Sequence, residues 1–189
     1  QNVRRLEAEA VRDSVLAVSG RLDRTSYGKA IMLESQPDGM SRVKQIPGKT
    51  QHFRRSIYIF VRRNYPLKIL ETFDTPIVPL NCTARENSAS VLQSLTLLND
   101  PFILEHAKVT SQQIYHSVDQ QNLPQLITET FLRLVARYPN DSELQRCTSY
   151  LQTQFELYRE TEDPHTCWHR AHVDLCQMLM CTNEFLYLN

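Results

Sequence analysis

The sequence predicts a mainly α-helical, compact domain of about five to seven helices in bundle-like or orthogonal packing, with one short strand or hairpin element near residues 54–63. Apolar residues recur at helical spacing over most of the chain, and only one segment is rich in alternating β-branched and aromatic residues. The 189 residues, 41% hydrophobic and 22% charged, suit one globular domain with a packed core. We therefore expect a single domain over residues 1–189, with an irregular excursion at 21–51.

The first third of the chain contains one helix, the excursion and the strand candidate. Residues 3–19 carry apolar side chains at helical intervals, and Gly20 supplies a C-terminal stop. The periodicity then disappears over residues 21–51, which contain three more glycines and two prolines. Segment 54–65, with the sequence RRSIYIFVRRNY, is the strand candidate because Ile and Val alternate with Tyr and Phe.

The rest of the chain reads as helices separated by short loops. A short helix is predicted over 67–73, a proline-containing loop over 74–86, and a helix over 88–98 that places Val91, Leu95 and Leu98 on one face. Four longer helices follow, and their starts are marked by Asp100-Pro101, Asn122 with Pro124, Asn140 with Glu143, and Asp163-Pro164. The last of them is predicted to end near Met180.

Charge and cysteine content exclude several classes of protein. Lys and Arg together number 21, as do Asp and Glu, so no overall positive field favours nucleic acid. No apolar run reaches the roughly 20 residues that a spanning helix needs. Five cysteines at irregular spacing do not make a disulfide scaffold. Because the chain begins inside a helical pattern, we expect it to be a piece of a larger protein.

Four segments carry a resemblance to a known family. They are RRLEAEAVRDSVLAVSGRLDRT (4–25), RRSIYIFVRRNYPLKILETFD (54–74), SLTLLNDPFILEHA (94–107) and NEFLYLN (183–189). In this order they resemble the planctomycete-type C-terminal domain of unknown function. The chain departs from that family at residues 26–35, SYGKAIMLES, where a glycine-rich run is usual, and at His172, where tryptophan is expected.

The resemblance implies a context and no mechanism. Domains of that family end long exported proteins, which often also carry a cytochrome-c-like domain, so it implies an exported, periplasmic or cell-surface location. The partners it implies are other domains of the same parent protein. No catalytic residue and no cofactor is carried over.

An arginine-aromatic cluster is the candidate site for anions or glycans. Guanidinium groups can grip phosphate, sulfate or carboxylate, and aromatic rings offer a stacking surface. An acidic or sulfated polysaccharide would suit an exported protein. The alternative is that these arginines form ion pairs with Glu71, Asp74, Glu86 and Glu105. The candidates are Arg54, Arg55, Arg62, Arg63, Tyr58 and Tyr65.

A histidine stripe is the candidate metal site. His165, His169, His172 and Cys176 fall at i, i+4, i+7 and i+11 of one predicted helix, and imidazole pairs one turn apart bind zinc or copper. The alternative is that the first two are solvated and the last two pack in the core, because no acidic helper has zincin-like spacing. Cys82 beside Arg85 is a further candidate, for a thiol of lowered pKa.

Three functional hypotheses remain. The first is a noncatalytic C-terminal packing or interaction module, which predicts an exposed apolar patch that a neighbour normally covers and needs no cofactor. The second is part of an enzyme acting on acidic or sulfated polysaccharide, with or without the help of a metal ion. The third, a redox partnership with a cytochrome-like domain, rests on the family context alone.

Overall fold

The computed structural model describes residues 4–37, 39–61, 65–76, 88, 90–119, 122–161 and 163–188. It divides into two compact units, one formed by residues 1–96 with 187–189 and the other by residues 97–186. Eight α-helices and two short antiparallel strand pairs lie in the described residues, which confirms the mainly α class. None of these helices has the length and apolar character needed to cross a bilayer.

The first unit is built around helix α1 (Ala8–Val18). Strand β1 (Arg4–Arg5) precedes it and pairs with β4 (Tyr187–Leu188), and strands β2 (Leu33–Ser35) and β3 (Ser41–Val43) form a hairpin. Helix α2 (Lys68–Thr72) packs on α1. The core of this unit combines apolar residues from these elements: Val11, Val15, Leu16, Ile31, Leu33, Ile59, Ile69, Leu70 and Phe73.

The hairpin lies earlier in the chain than the sequence predicts. Segment 54–60 is not a regular strand: a 3₁₀ turn occupies Ser56–Tyr58, with isolated bridges from Arg54 to Asp23 and from Ile59 to Ile31. The hairpin instead forms within the excursion at 21–51, where the two strands contain only one apolar residue each, Leu33 and Val43. The segment is bent because Ser56 is held by side chains of α1, as described below.

The second unit is a helical bundle with α7 (Pro164–Met180) against α4 (Pro101–Ser117), α5 (Leu123–Val135) and α6 (Asp141–Tyr158). The short helix α8 (Asn183–Leu186) follows α7. The core of the second unit is formed by side chains from all four long helices: Ile103, Ala107, Ile114, Leu126, Ile127, Phe131, Leu134, Leu151, Ala171, Leu175 and Met180. Along the chain, the division between the two units falls within helix α3 (Val91–Asn99), after residue 96.

Local capping signals fix the helix starts of the second unit, as predicted. Asp100 accepts a hydrogen bond from the Phe102 amide at 2.8 Å. Asn140 and Glu143 form the reciprocal capping box, with bonds of 2.9 and 2.8 Å. Asp163 accepts from the second and third amides of α7. These starts were predictable because a cap depends on residues within one helical turn.

Candidate functional site

Arg54, the first residue of the arginine-aromatic cluster, is committed to the protein interior. It is 4% exposed, and its guanidinium donates to the carbonyl oxygens of Thr25, Lys29 and Tyr27 at 3.2, 3.0 and 2.5 Å. The same group lies 4.0 Å from the ring centre of Tyr58. Arg54 therefore ties the loop at 25–29 to the 3₁₀ turn and does not face a ligand.

A second buried arginine, Arg12 of α1, explains the bend in this segment. It is 2% exposed and donates to the Arg54 carbonyl at 3.1 Å, the Ser56 hydroxyl at 3.1 Å and the His52 carbonyl at 2.8 Å. Asp13 accepts from the amide and the hydroxyl of Ser56 at 2.8 and 2.7 Å. Burial lowers the pKa of Arg12 to about 10, although the neighbouring Asp13 carboxylate opposes that shift.

Arg12 is not among the residues predicted from the sequence, although a signal was present. Arg12 occupies a position one helical turn after Ala8 and one turn before Leu16, both of which are buried. A charged residue on the apolar face of an amphipathic helix needs partners inside the protein. Here the partners are backbone carbonyls of a segment about 40 residues later, which local spacing cannot predict.

The other members of the cluster do not converge on one site. Arg55 and Tyr65 are exposed, whereas Tyr58 is half-buried and its hydroxyl accepts the Tyr27 amide at 3.1 Å. That hydrogen bond is the main reason why the pKa of Tyr58 is lowered. Arg62 and Arg63 lie outside the described residues, as do Cys82, Arg85 and Glu86.

Of the carboxylates named for the alternative ion pairs, Asp74 pairs with Arg5, at 2.8 Å. Arg5 is 4% exposed and also donates to the carbonyls of Phe73 and Ser88. The contacts of Arg5 with Phe73, Asp74 and Ser88 anchor the chain on either side of the predicted loop at 74–86. Desolvation acts to raise the pKa of Asp74, but the hydrogen bonds from Ser88 and Arg5 together outweigh it, so the pKa is lowered.

The histidine stripe runs along α7 from the surface into the core of the second unit. His165 is exposed, His169 is half-buried, and His172 and Cys176 are both fully buried. Within the described residues, no group of three or more His, Cys, Asp or Glu side chains is arranged to hold a metal ion. The helical spacing is as predicted, but the four side chains lie at different depths.

His172 is a neutral, fully hydrogen-bonded core residue. Thr130 donates its hydroxyl proton to the Leu126 carbonyl at 2.6 Å, so it accepts the proton on His172 Nε2, at 2.8 Å. His172 Nδ1 then accepts the Ser111 hydroxyl, also at 2.8 Å. Desolvation, together with nearby His169, lowers the pKa of His172 to about 3. A histidine so placed neither shuttles protons near neutral pH nor offers a lone pair to a metal.

Cys176 shares this apolar environment. Its Sγ lies 3.8 Å from His172 Nε2, and burial raises the pKa of the thiol. The ring of Tyr115 lies 5.1 Å from that of His172, and burial raises the pKa of Tyr115 to about 12. These groups are all uncharged at neutral pH. Their hydrogen bonds and packing hold α4, α5 and α7 together.

Helix α3 presents its apolar stripe outward. Val91, Leu92, Leu95 and Leu98 are 76%, 67%, 48% and 53% exposed, and we call this set the α3 face. The inward side of the helix instead contains Leu97, 1% exposed, and Gln93, whose amide donates to the Thr72 carbonyl and to Ser88. The helix itself carries no charged residue. The α3 face is therefore a contiguous aliphatic surface on one helix.

The balanced total charge conceals an uneven distribution. The first unit has 15 Lys and Arg against 9 Asp and Glu, whereas the second has 6 against 12. The first unit therefore carries a net charge of +6 and the second of −6. A charge of this size in fewer than 100 residues favours partners of opposite sign.

Comparison with known proteins gives a family and no activity. No curated protein and no solved structure matches the chain. The family described as PSD1, protein of unknown function (DUF1553), matches residues 1–151. The match includes the Arg12 and Arg54 contacts and α3, whereas the histidine stripe lies beyond it. The chain belongs to the PSD1 family of proteins of unknown function.

Proposed function

We propose that this chain is a noncatalytic packing module, whose α3 face docks against another domain of the same, larger polypeptide. The observation that supports it is the outward apolar stripe of α3. Exposing four aliphatic side chains to water is unfavourable, and the helix has no charged residue whose hydration would compensate. Two side chains with candidate chemistry, the guanidinium of Arg54 and the imidazole of His172, are occupied by internal hydrogen bonds.

The size of the α3 face favours a tethered neighbour over a free partner. Its exposed fractions together correspond to about two and a half whole side chains, so covering them is worth about 5 kcal/mol. Association of two free proteins costs on the order of 4–15 kcal/mol in lost motional freedom. A domain of the same polypeptide avoids most of that cost through its high effective concentration.

The cellular context belongs to the same proposal. The resemblance to planctomycete-type C-terminal domains supports a parent protein that is exported and acts at the cell envelope.

The isolated chain allows a direct test with the dye ANS, which binds exposed apolar surface. We expect strong fluorescence enhancement from the chain, and loss of most of it in the double variant Leu92→Gln, Leu98→Gln. Both side chains are largely exposed, so the free energy of unfolding should change by less than about 1 kcal/mol. The matched control is Leu157→Gln, 61% exposed on α6, which should keep the enhancement. Equal loss in the control and the double variant would contradict the proposal.

A further inference from the structure

The outer face of the β2–β3 hairpin combines apolar and basic side chains. The hairpin register pairs Leu33 with Val43 and Ser35 with Ser41, and the amide of Lys44 donates to the Met32 carbonyl at 2.9 Å. Since side chains alternate between the two faces of a strand, residues 32 and 34 share a face with residues 40, 42 and 44. Leu33 is buried, so this shared face points outward.

Phe60 extends the same face onto the neighbouring segment. The Phe60 amide donates to the Ile31 carbonyl at 2.8 Å, beside the parallel bridge between Ile31 and Ile59. Ile31 and Ile59 are both buried, so Met32 and Phe60, the next residues along each segment, point outward side by side. We call the resulting surface the hairpin face; its members are Met32, Glu34, Met40, Arg42, Lys44 and Phe60.

The exposure and charge of the hairpin face indicate the chemistry of a partner. Met32, Met40 and Phe60 are 42%, 41% and 44% exposed, and Arg42 and Lys44 are exposed beside them. Lys68 adds a third cation, with its Nζ 3.9 Å from the Met40 sulfur. Glu34, the one acidic residue of the face, lies opposite Arg42 in the register. The surrounding unit has a net charge of +6.

We propose that the hairpin face binds an acidic, amphipathic helix of a protein partner. Methionine side chains adapt to differently shaped apolar surfaces, and the flanking cations complement carboxylates at the border of the contact. A polyanion without an apolar side would leave the two methionines and Phe60 in water. This surface is distinct from the α3 face, so the inference does not rest on the packing role.

The dimensions of the face set the length of the helix. Met32 and Met40 lie at positions four residue pairs apart on the hairpin, roughly 13 Å at 3.3 Å per residue. That distance equals about nine residues of α-helix at 1.5 Å each, or about two and a half turns. The partner therefore presents apolar residues at i, i+3 or i+4, and i+7, with Asp or Glu on both sides of the stripe.

A synthetic peptide is the probe. We would label a helix of about four turns, with Leu at those positions and Glu at the flanks, and measure its binding to the whole chain by fluorescence anisotropy. We expect saturable binding that weakens as salt rises above about 0.1 M, because the border contacts are exposed. Lys44→Glu should weaken it about tenfold by placing like charges together. The matched control, Lys49→Glu, makes the same change of net charge on an exposed residue outside the face and should change binding less than about twofold.

The contribution of the apolar residues is tested separately. Met32→Gln should weaken peptide binding, whereas Met178→Gln, an equally exposed methionine of the second unit, should leave it unchanged. Three results would overturn the proposal: no saturable binding, an equal loss in Lys44→Glu and Lys49→Glu, or binding of dextran sulfate with the same dependence on Lys44. The last result would mean that the face recognises charge alone.

Discussion

Acidification should destabilise the second unit, chiefly through the buried His172. The group has an ordinary pKa of 6.5 and a pKa of about 3 in the folded chain. Above pH 6.5 it is neutral in both the folded and the unfolded state and has no effect on stability. Below pH 6.5 His172 binds a proton in the unfolded chain but not in the folded chain, so the free energy of unfolding falls as the pH decreases toward 3.

The two pKa values set the size of this effect. At pH 5, His172 should contribute a loss of about 2 kcal/mol relative to pH 7.5. His169, whose pKa burial also lowers, adds to the loss in the same direction. Lowered carboxyl pKa values such as that of Asp74 act at lower pH, since they lie below 3.8.

Urea unfolding followed by Trp168 fluorescence measures the effect, because this single tryptophan lies on α7. In His172→Gln the chain loses the titrating group, so the difference in stability between pH 7.5 and pH 5 should shrink by about 2 kcal/mol. His165→Gln, at an exposed position of the same helix, is the matched control and should keep the wild-type difference. If the stability of His172→Gln changes with pH as much as that of the wild type, the conclusion that His172 is buried and neutral is refuted.

Three further substitutions test the packing, each by urea unfolding. Arg12→Met removes the guanidinium hydrogen bonds to three buried or half-buried acceptors and should cost about 3 kcal/mol. Arg55→Met, on an exposed side chain, should cost less than about 0.5 kcal/mol, and equal costs would contradict the role of Arg12. Asn140→Ala removes one half of the capping box and should cost about 1 kcal/mol, and no change would mean that α6 does not depend on this cap. Leu97→Ala should cost about 3 kcal/mol and Leu98→Ala less than about 1 kcal/mol, because only Leu97 is buried, and the reverse order would show that α3 is rotated.

The helices were predictable because their signals are local. The starts of α4, α6 and α7 follow from Asp100, Asn140 and Asp163, whose side chains bond amides within their own first turn. The spacing of the apolar residues added the length of each helix.

The parts that were not predictable depend on contacts distant in sequence. Segment 54–60 has the composition of a strand, but Arg12 and Asp13, more than 40 residues earlier, hold Ser56 in a turn. The apolar stripe of α3 was visible in the sequence, but whether it is buried or exposed was not. Periodicity shows which residues share a face of a helix and does not show what that face contacts. His172 similarly needed Ser111 and Thr130, from two other helices, before its neutral role became clear.

Hydroxyl-radical footprinting of α3 tests the central proposal most directly, because it reports the solvent exposure of individual side chains. The modification rates of Leu92 and Leu98 would be compared between the isolated chain and the full-length polypeptide, with Leu157 of α6 as the internal reference. The packing role predicts that both leucines react readily in the isolated chain and several-fold more slowly in the full-length protein, while Leu157 is unchanged. Equal rates for the α3 leucines in both proteins would mean that no domain of the same polypeptide covers the α3 face, and the proposed function would be wrong.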